Sequence, residues 1–209
     1  MRKIILSFLL LATTVGAVNA QQASTIAGFR GGITLSSYVG NASTAEYKTG
    51  YHGGIIFKLT LNKLFSIQPE VLYSMKGAQR NESNNGYSVS YNERLHYVDV
   101  PILAKITTAQ GLFFEAGPQV GVMLAARADV SGTGPNGSRS ASGNIKSEFN
   151  DVDLGYAVGL GFQVPNSPLL LGVRYNGGLR NIIKDYNDSD KSLRNGAFQF
   201  YLGLLFGNK

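Results

Sequence analysis

Along most of the chain, apolar residues alternate with small or polar ones at a period of two. Stretches of this kind lie near 26–37, 50–60, 64–77, 92–107, 111–127, 152–164, 168–179 and 196–207. A period of two puts the two sets on opposite faces of a β-strand. In the sixth stretch Val152, Leu154, Tyr156, Val158, Leu160, Phe162 and Val164 share one face, against Asp153, Gly155, Ala157, Gly159, Gly161 and Gln163. In the last, Phe198, Phe200, Leu202, Leu204 and Phe206 oppose Gln199, Tyr201 and Gly203. Most of these stretches reach the ~9–11 residues that a tilted membrane-crossing strand needs. The uncharged run from Leu154 to Val173 could imitate a membrane helix, but Pro165-Asn166-Ser167-Pro168 splits it into two strands.

The connections alternate in length. Asn62-Lys63, Thr108-Ala109-Gln110 and Pro165-Asn166-Ser167 are short, whereas 38–49, 78–91, 128–151 and 180–195 are long and rich in Ser, Asn, Gly and Asp. A soluble meander has no reason to sort its loops onto opposite ends. A transmembrane barrel has short periplasmic turns and longer external loops. The pattern therefore predicts an all-β fold, a closed antiparallel up-and-down transmembrane β-barrel of about eight strands, with both termini periplasmic. Closure is required because an open edge in hydrocarbon would leave backbone groups unpaired.

The bulky face carries Phe29, Ile33, Leu35, Ile55, Phe57, Leu59, Ile67, Val71, Tyr73, Met75, Leu112, Phe114, Val120, Val122 and Leu124. These side chains would overfill a narrow cylinder but suit a lipid-facing surface. The other face mixes glycine with charge, and eight strands leave an interior just wide enough for side chains to fill. The sequence thus predicts a polar lumen network in which Glu70, Asp99 and Glu115 are bonded by Arg30, Lys58, Lys105 and Arg174. Glycines at 32, 117, 121, 155, 159, 161 and 172 would make room for the long side chains. For Lys58 and Lys76, a lumen position and a solvated strand end are equally compatible with the pattern. Tyr38, Tyr51, Tyr73, Tyr156, Tyr175 and Phe65 lie near strand ends, where aromatic girdles occur. Pro69, Pro101 and Pro118 fall inside predicted strands, lack a ladder donor, and are expected at bulges or strand ends.

Composition adds three constraints. Basic Met1-Arg2-Lys3, apolar Ile4 to Leu11 and small residues in Val18-Asn19-Ala20 have the layout of a secretory signal peptide over 1–20, leaving a barrel domain over 21–209. The formal charge of +6 is scattered, with no Lys/Arg run of the kind that tracks a phosphate backbone, which argues against nucleic-acid binding. There is no cysteine, so disulfides, thiolate metal sites and cysteine nucleophiles are excluded.

Several segments together resemble a known family. They are Gly28-Phe29-Arg30-Gly31-Gly32, Phe65 to Gly77 (FSIQPEVLYSMKG), Leu95 to Lys105 (LHYVDVPILAK), Ala116 to Gly121 and Leu171 to Leu179. They resemble the outer-membrane β-barrel domain of the porin-family proteins, among them PorT-like small barrels. The resemblance implies an eight-stranded barrel of the OmpA- and OmpX-like kind, too narrow for a wide pore. It makes the in-strand prolines family features. It also implies outer-membrane lipid and the outer-membrane assembly machinery as partners. Such barrels commonly end on an aromatic residue, whereas here Phe206 is followed by Gly207-Asn208-Lys209.

Candidate chemistry is sparse. His52 and His96 both fall near predicted external strand ends, with Ser74, Ser88 and Ser90 as nearby hydroxyls, yet nothing fixes a nucleophile–base pair. Asp185, Asn187, Asp188 and Asp190 cluster oxygen ligands in the last external loop, but their spacing fits no calcium-loop pattern. No phosphate-binding glycine loop or zinc spacing occurs. The expectation is a non-enzymatic barrel without cofactor or metal. Its role would be structural or in surface interaction through external loops, whose partner the sequence does not name, with at most narrow solute passage. The alternatives are a lipid-modifying barrel enzyme and a soluble periplasmic lipocalin-like carrier.

Overall fold

The computed structural model describes residues 25–40, 46–84, 87–135, 137–184 and 192–207. The expected signal peptide, 1–20, and the acidic loop residues Asp185, Asn187, Asp188 and Asp190 lie outside the described residues. The strands are β1 (Thr25–Val39), β2 (Lys48–Thr60), β3 (Phe65–Asn84), β4 (Tyr87–Thr107) and β5 (Leu112–Gly134). They continue with β6 (Gly137–Asn144), β7 (Val152–Gln163), β8 (Leu169–Gly178) and β9 (Arg194–Phe206). β1 pairs antiparallel with β2 on one side and β9 on the other, and β4 pairs with β5. The ring β1-β2-β3-β4-β5-β7-β8-β9 is therefore closed, with eight strands and no free edge at the level of β1 and β9.

Alternation decides the two faces as expected. Phe57, Leu160 and Phe200 are 38%, 47% and 49% exposed, so they point out of the cylinder. Arg30, Glu70, Lys105, Glu115 and Arg174 are buried within it. The outside is the apolar side, the arrangement of a barrel in lipid and not of a soluble carrier.

Tight turns close one end. Asn62 Oδ1 accepts hydrogen bonds from the backbone N–H of Leu64 and Phe65, both at 2.9 Å, in the β2–β3 turn. Gly111 adopts φ +100° before β5, a conformation that side chains rarely tolerate.

The opposite end differs from expectation. The long loops proposed over 78–91 and 128–151 are largely strand. β3 and β4 stay paired up to Asn84↔Tyr87, and β5 and β6 up to Gly134↔Gly137. β5 leaves β7 at Val122↔Val152 but continues beside β4 to Ser88↔Thr133. A four-stranded sheet, β3-β4-β5-β6, thus projects roughly 30–40 Å along its strands beyond the ring. Alternation was lost there because both faces meet water, so the sequence reads as loop while backbone pairing persists.

The prolines also correct an expectation. None marks a bulge or a strand end. Pairing is interrupted beside Pro69 between Ile56↔Glu70 and Leu59↔Ile67. It is interrupted beside Pro101 between Pro69↔Ile102 and Leu72↔Asp99, and beside Pro118 between Pro101↔Gln119 and Ala104↔Ala116. Each ladder resumes in the same register, because a missing N–H removes a bond without adding a residue. The register shift in β4–β5 lies instead at His96/Tyr97.

Val158, outward near the middle of β7, tests the lipid-facing assignment. Val158→Arg is expected to destabilise the barrel by about 2–4 kcal/mol in bilayers, against less than about 0.5 kcal/mol for Ser140→Arg on the exposed β6. Urea unfolding in vesicles measures both.

Candidate functional site: the charged lumen and its caps

Five ionised side chains from five strands meet at the centre of the cylinder. They reach one another because inward positions recur every second residue and register sets them at a common level. Arg174 on β8 holds Glu70 on β3 in a fork, Nη1 to Oε2 at 2.8 Å and Nη2 to Oε1 at 2.9 Å. The same guanidinium donates through Nε and Nη2 to Glu115 Oε1 on β5, at 2.8 and 2.6 Å. Arg30 on β1 approaches Glu70 Oε2 at 3.3 Å and donates to Gln199 Oε1 at 2.8 Å. Lys105 on β4 lies 4.0 Å from Glu115 Oε2 and donates to Gln68 Oε1 at 3.3 Å. Gln68 in turn donates to Glu70 Oε1 at 2.7 Å, and the Tyr201 hydroxyl donates to Glu115 Oε1 at 2.7 Å.

Three cations face two carboxylates here, and aromatic faces take up the excess. The Arg30 guanidinium carbon sits 3.9 Å from the Tyr201 ring centroid, and Lys105 Nζ 3.4 Å from that of Phe113. Such contacts strengthen when desolvated. Glycines supply the space: a Cβ on Gly172 would come within 2.6 Å of the Tyr201 hydroxyl, and one on Gly121 within 2.8 Å of Asp99 Oδ1.

Two of the expected members are elsewhere. Asp99 does not join Arg30, Lys58, Lys105 or Arg174; it pairs with Lys76, nearer the projecting sheet, at 2.9 Å. Lys58 has no carboxylate partner among the described residues and donates to Gln163 Oε1 at 3.0 Å. Lys58 lies on the tight-turn side of Ile56, where the short β2–β3 connection begins, and its ammonium turns to Gln163 rather than to Glu70 or Glu115. Gln68, Gln199 and Tyr201 were not singled out from the sequence as members. Their signal was present in their inward alternation with Glu70 and Gly203.

The lumen is not polar throughout. Leu95, Tyr97, Met123, Ala126, Phe149 and Ile182 form an apolar cluster at the projecting end, joined by Tyr38, Ile145, Ile183 and Leu193. Phe149 and Ile182 are folded in from the segments before β7 and after β8, which touch at Phe149↔Ile183. Asn150 fastens them by donating to the Asn181 and Ile183 carbonyls at 3.0 and 3.2 Å. At the tight-turn end Ile56, Phe113, Leu170, Tyr201 and Leu205 form a second cluster, with Ile26 against it. Tyr38, expected in the girdle, instead turns inward to the upper cluster and bonds Glu93. Tyr51, Tyr73, Tyr156 and Phe65 do face outward. Between the clusters a polar cavity bordered by Lys76, Gln119, Asp153, Asn176 and Asn195 measures about 10 Å³, room for about one water.

The histidines separate. His52, expected near an external strand end, is buried in the lumen with Nδ1 3.0 Å from Thr34 Oγ1. His96 faces outward with Nδ1 2.7 Å from the Tyr73 hydroxyl. Ser74 is buried on the lumen side, the opposite face from His96, and the Ser88 and Ser83 hydroxyls bond each other at 3.2 Å.

Residues 19–184 match the family model described as outer membrane protein beta-barrel domain. The chain belongs to that family. No curated protein sequence matches it. Among solved structures, this outer-membrane barrel is similar to Ail, the attachment invasion locus protein of Yersinia pestis, with 12% identity and a TM-score of 0.47. The match covers 88% of this chain and 100% of Ail. Neisserial surface protein A is similar at 13% identity and a TM-score of 0.47, over 86% of this chain and 97% of that one. OprG of Pseudomonas aeruginosa is similar at 9% identity and a TM-score of 0.36, over 90% and 98%.

Removing Glu70 leaves Arg30 and Arg174 facing each other without it. Glu70→Ala is expected to cost about 3–5 kcal/mol, and Glu82→Ala, in the projecting hairpin, less than about 0.5 kcal/mol. Thermal unfolding in detergent, followed by loss of heat-modifiable gel mobility, separates the two.

Proposed function

We propose that this outer-membrane barrel is a non-enzymatic surface-interaction protein. On this reading the lumen is a structural core closed to solutes, and the working surface is the projecting sheet. The observation that carries the reading is the pairing of a plugged cylinder with a four-stranded sheet built far beyond the apolar band. A channel would leave its axis open. Here a five-charge cluster with side chains at 0% exposure lies between two apolar caps. In the projecting arm β6 is exposed throughout, an open edge whose backbone can pair with another chain.

Orientation follows from loop length. β1 starts beside the end of β9, at Ala27↔Phe206, on the end that carries the tight turns. We assign that end to the periplasm and the projecting sheet to the exterior. A signal peptide over 1–20 removed on export, a barrel domain over 21–209 and insertion by the outer-membrane assembly machinery complete the proposal. The lipid-modifying alternative is disfavoured by geometry: His52 is sealed in the lumen, while His96 and Ser90 are six residues apart along β4, about 20 Å. Acyl transfer needs its nucleophile and base within hydrogen-bond reach.

Two experiments test this. Planar-bilayer recording of the folded chain is expected to give no stable open-channel steps; a large steady conductance would make it a porin. Cells expressing a chain with 80–91 and 129–142 replaced by short turns should keep a heat-modifiable barrel but lose adhesion to protein-coated surfaces. Equal adhesion by both chains would sink the surface role.

A further inference from the structure

The outward face of β4 and β5 is apolar from Ile106 and Leu112 up to Val98 and Leu124. The first charged row above this band contains two arginines. Arg94 and Arg127 are directly opposite each other across the β4–β5 ladder. Their neighbours Leu95 and Ala126 are also opposite each other and fully buried in the lumen, so both guanidinium stems leave on the lipid side. Like charges directly opposite in a ladder repel. An anion shared by the two would relieve that repulsion.

The protein supplies only part of one. Asp129, one row higher on β5, bonds Arg94. Arg94 Nε is shielded from solvent and has no hydrogen-bond partner. Arg127 is exposed and makes no ion pair with a described residue. The other carboxylates nearby are engaged elsewhere: Glu93 is bonded by Tyr38, and Glu46 accepts from Asn81 at 3.1 Å. Lys48, which donates to Asn92, adds a further positive charge to this rim. Immediately below the arginines are His96, hydrogen-bonded to Tyr73, and Tyr51, whose ring centroid is 6.1 Å from that of Tyr73. The row thus lies at the level where lipid headgroups meet the aromatic girdle.

We propose that Arg94 and Arg127 clamp a phosphate monoester on the headgroup of an outer-leaflet lipid, with the acyl chains running down the Val98, Val122 and Leu124 surface. Guanidinium forks match phosphate oxygens in a bidentate geometry that an ammonium lacks. An exposed phosphate gives both arginines a common partner and cancels their repulsion. The site uses the apolar band for the chains and the charged row for the head, so neither alone suffices. It rests on the orientation proposed above, which has its own readout: Ser140→Cys, on β6, should be labelled by a membrane-impermeant thiol reagent on intact cells.

The clamp is tested on the full folded chain in detergent. The probe is a bis-phosphorylated glucosamine glycolipid, lipid A, against its dephosphorylated form, with bound lipid counted by native mass spectrometry. The wild-type chain should retain the phosphorylated lipid at least tenfold better than the dephosphorylated one. R94Q/R127Q should lose that preference, and R80Q, at the hairpin tip beside Glu82, should keep it. Should the double variant fail to fold, R127Q decides, since the Arg127 side chain makes no hydrogen bond or ion pair with a described residue; R127K should restore the preference only in part. Equal retention of both lipids by the wild-type chain, or an unchanged preference in R127Q, would overturn the clamp. So would full displacement by millimolar inorganic phosphate, which would mark a site for free anions. Labelling failure with the preference intact would overturn the orientation and leave a headgroup clamp facing the other leaflet.

Discussion

Hydrocarbon offers no hydrogen bonds, so every backbone N–H and C=O at membrane depth must find its partner within the protein. The pairing of β1 with β9 meets that demand. Once the sheet is closed, a period-two sequence has one outside and one inside, and their chemistry is no longer free to vary. The outside must match acyl chains. The inside must hold whatever the outside excludes, in a cylinder with space for little beyond its own side chains. The ionic cluster follows from that confinement. Arg174 is the residue around which it is organised, because its planar guanidinium binds both oxygens of Glu70 and Oε1 of Glu115 together.

Confinement also explains the layering. Charges deep in the lumen are sustained by several partners each, and the excess positive charge lies against the Tyr201 and Phe113 rings. Toward the ends the cylinder would admit water, which weakens ion pairs. Apolar clusters occupy those places instead, one built from strand residues and one completed by Phe149 and Ile182 from the segments that cross the mouth. Such a core resembles that of a soluble protein in packing while inverting its chemistry: ionic at the centre and apolar at the caps.

Above the membrane the constraints change again. The projecting sheet has water on both faces, so its sequence need only pair and twist, and Ser, Asn and Gly suffice. Its edge strand β6 is exposed throughout, and its lowest outward row carries Arg94 and Arg127 just above the apolar band. The three levels of the protein are therefore three solvents: hydrocarbon, headgroup and water. Each selects a different set of outward residues on strands that run continuously through all of them.

What the sequence determined by itself was everything that repeats. The period-two alternation settled the strands and the outward Phe57, Leu160 and Phe200, and the alternating loop lengths settled the up-and-down order. The first is a local pattern that lipid forces along each strand, and the second follows from the intervals between the strands. The inward charge of Glu70, Glu115, Arg30, Lys105 and Arg174 was legible for the same reason. Partner choice was not, since it depends on level around the ring: Asp99 lies at the height of Lys76, and Lys58 at that of Gln163. The paired arms at 78–91 and 128–151 and the uninterrupted register across the prolines were likewise decided by tertiary structure. In each case the cause is a backbone partner or a neighbour many residues away, which no local pattern of apolar and polar positions records.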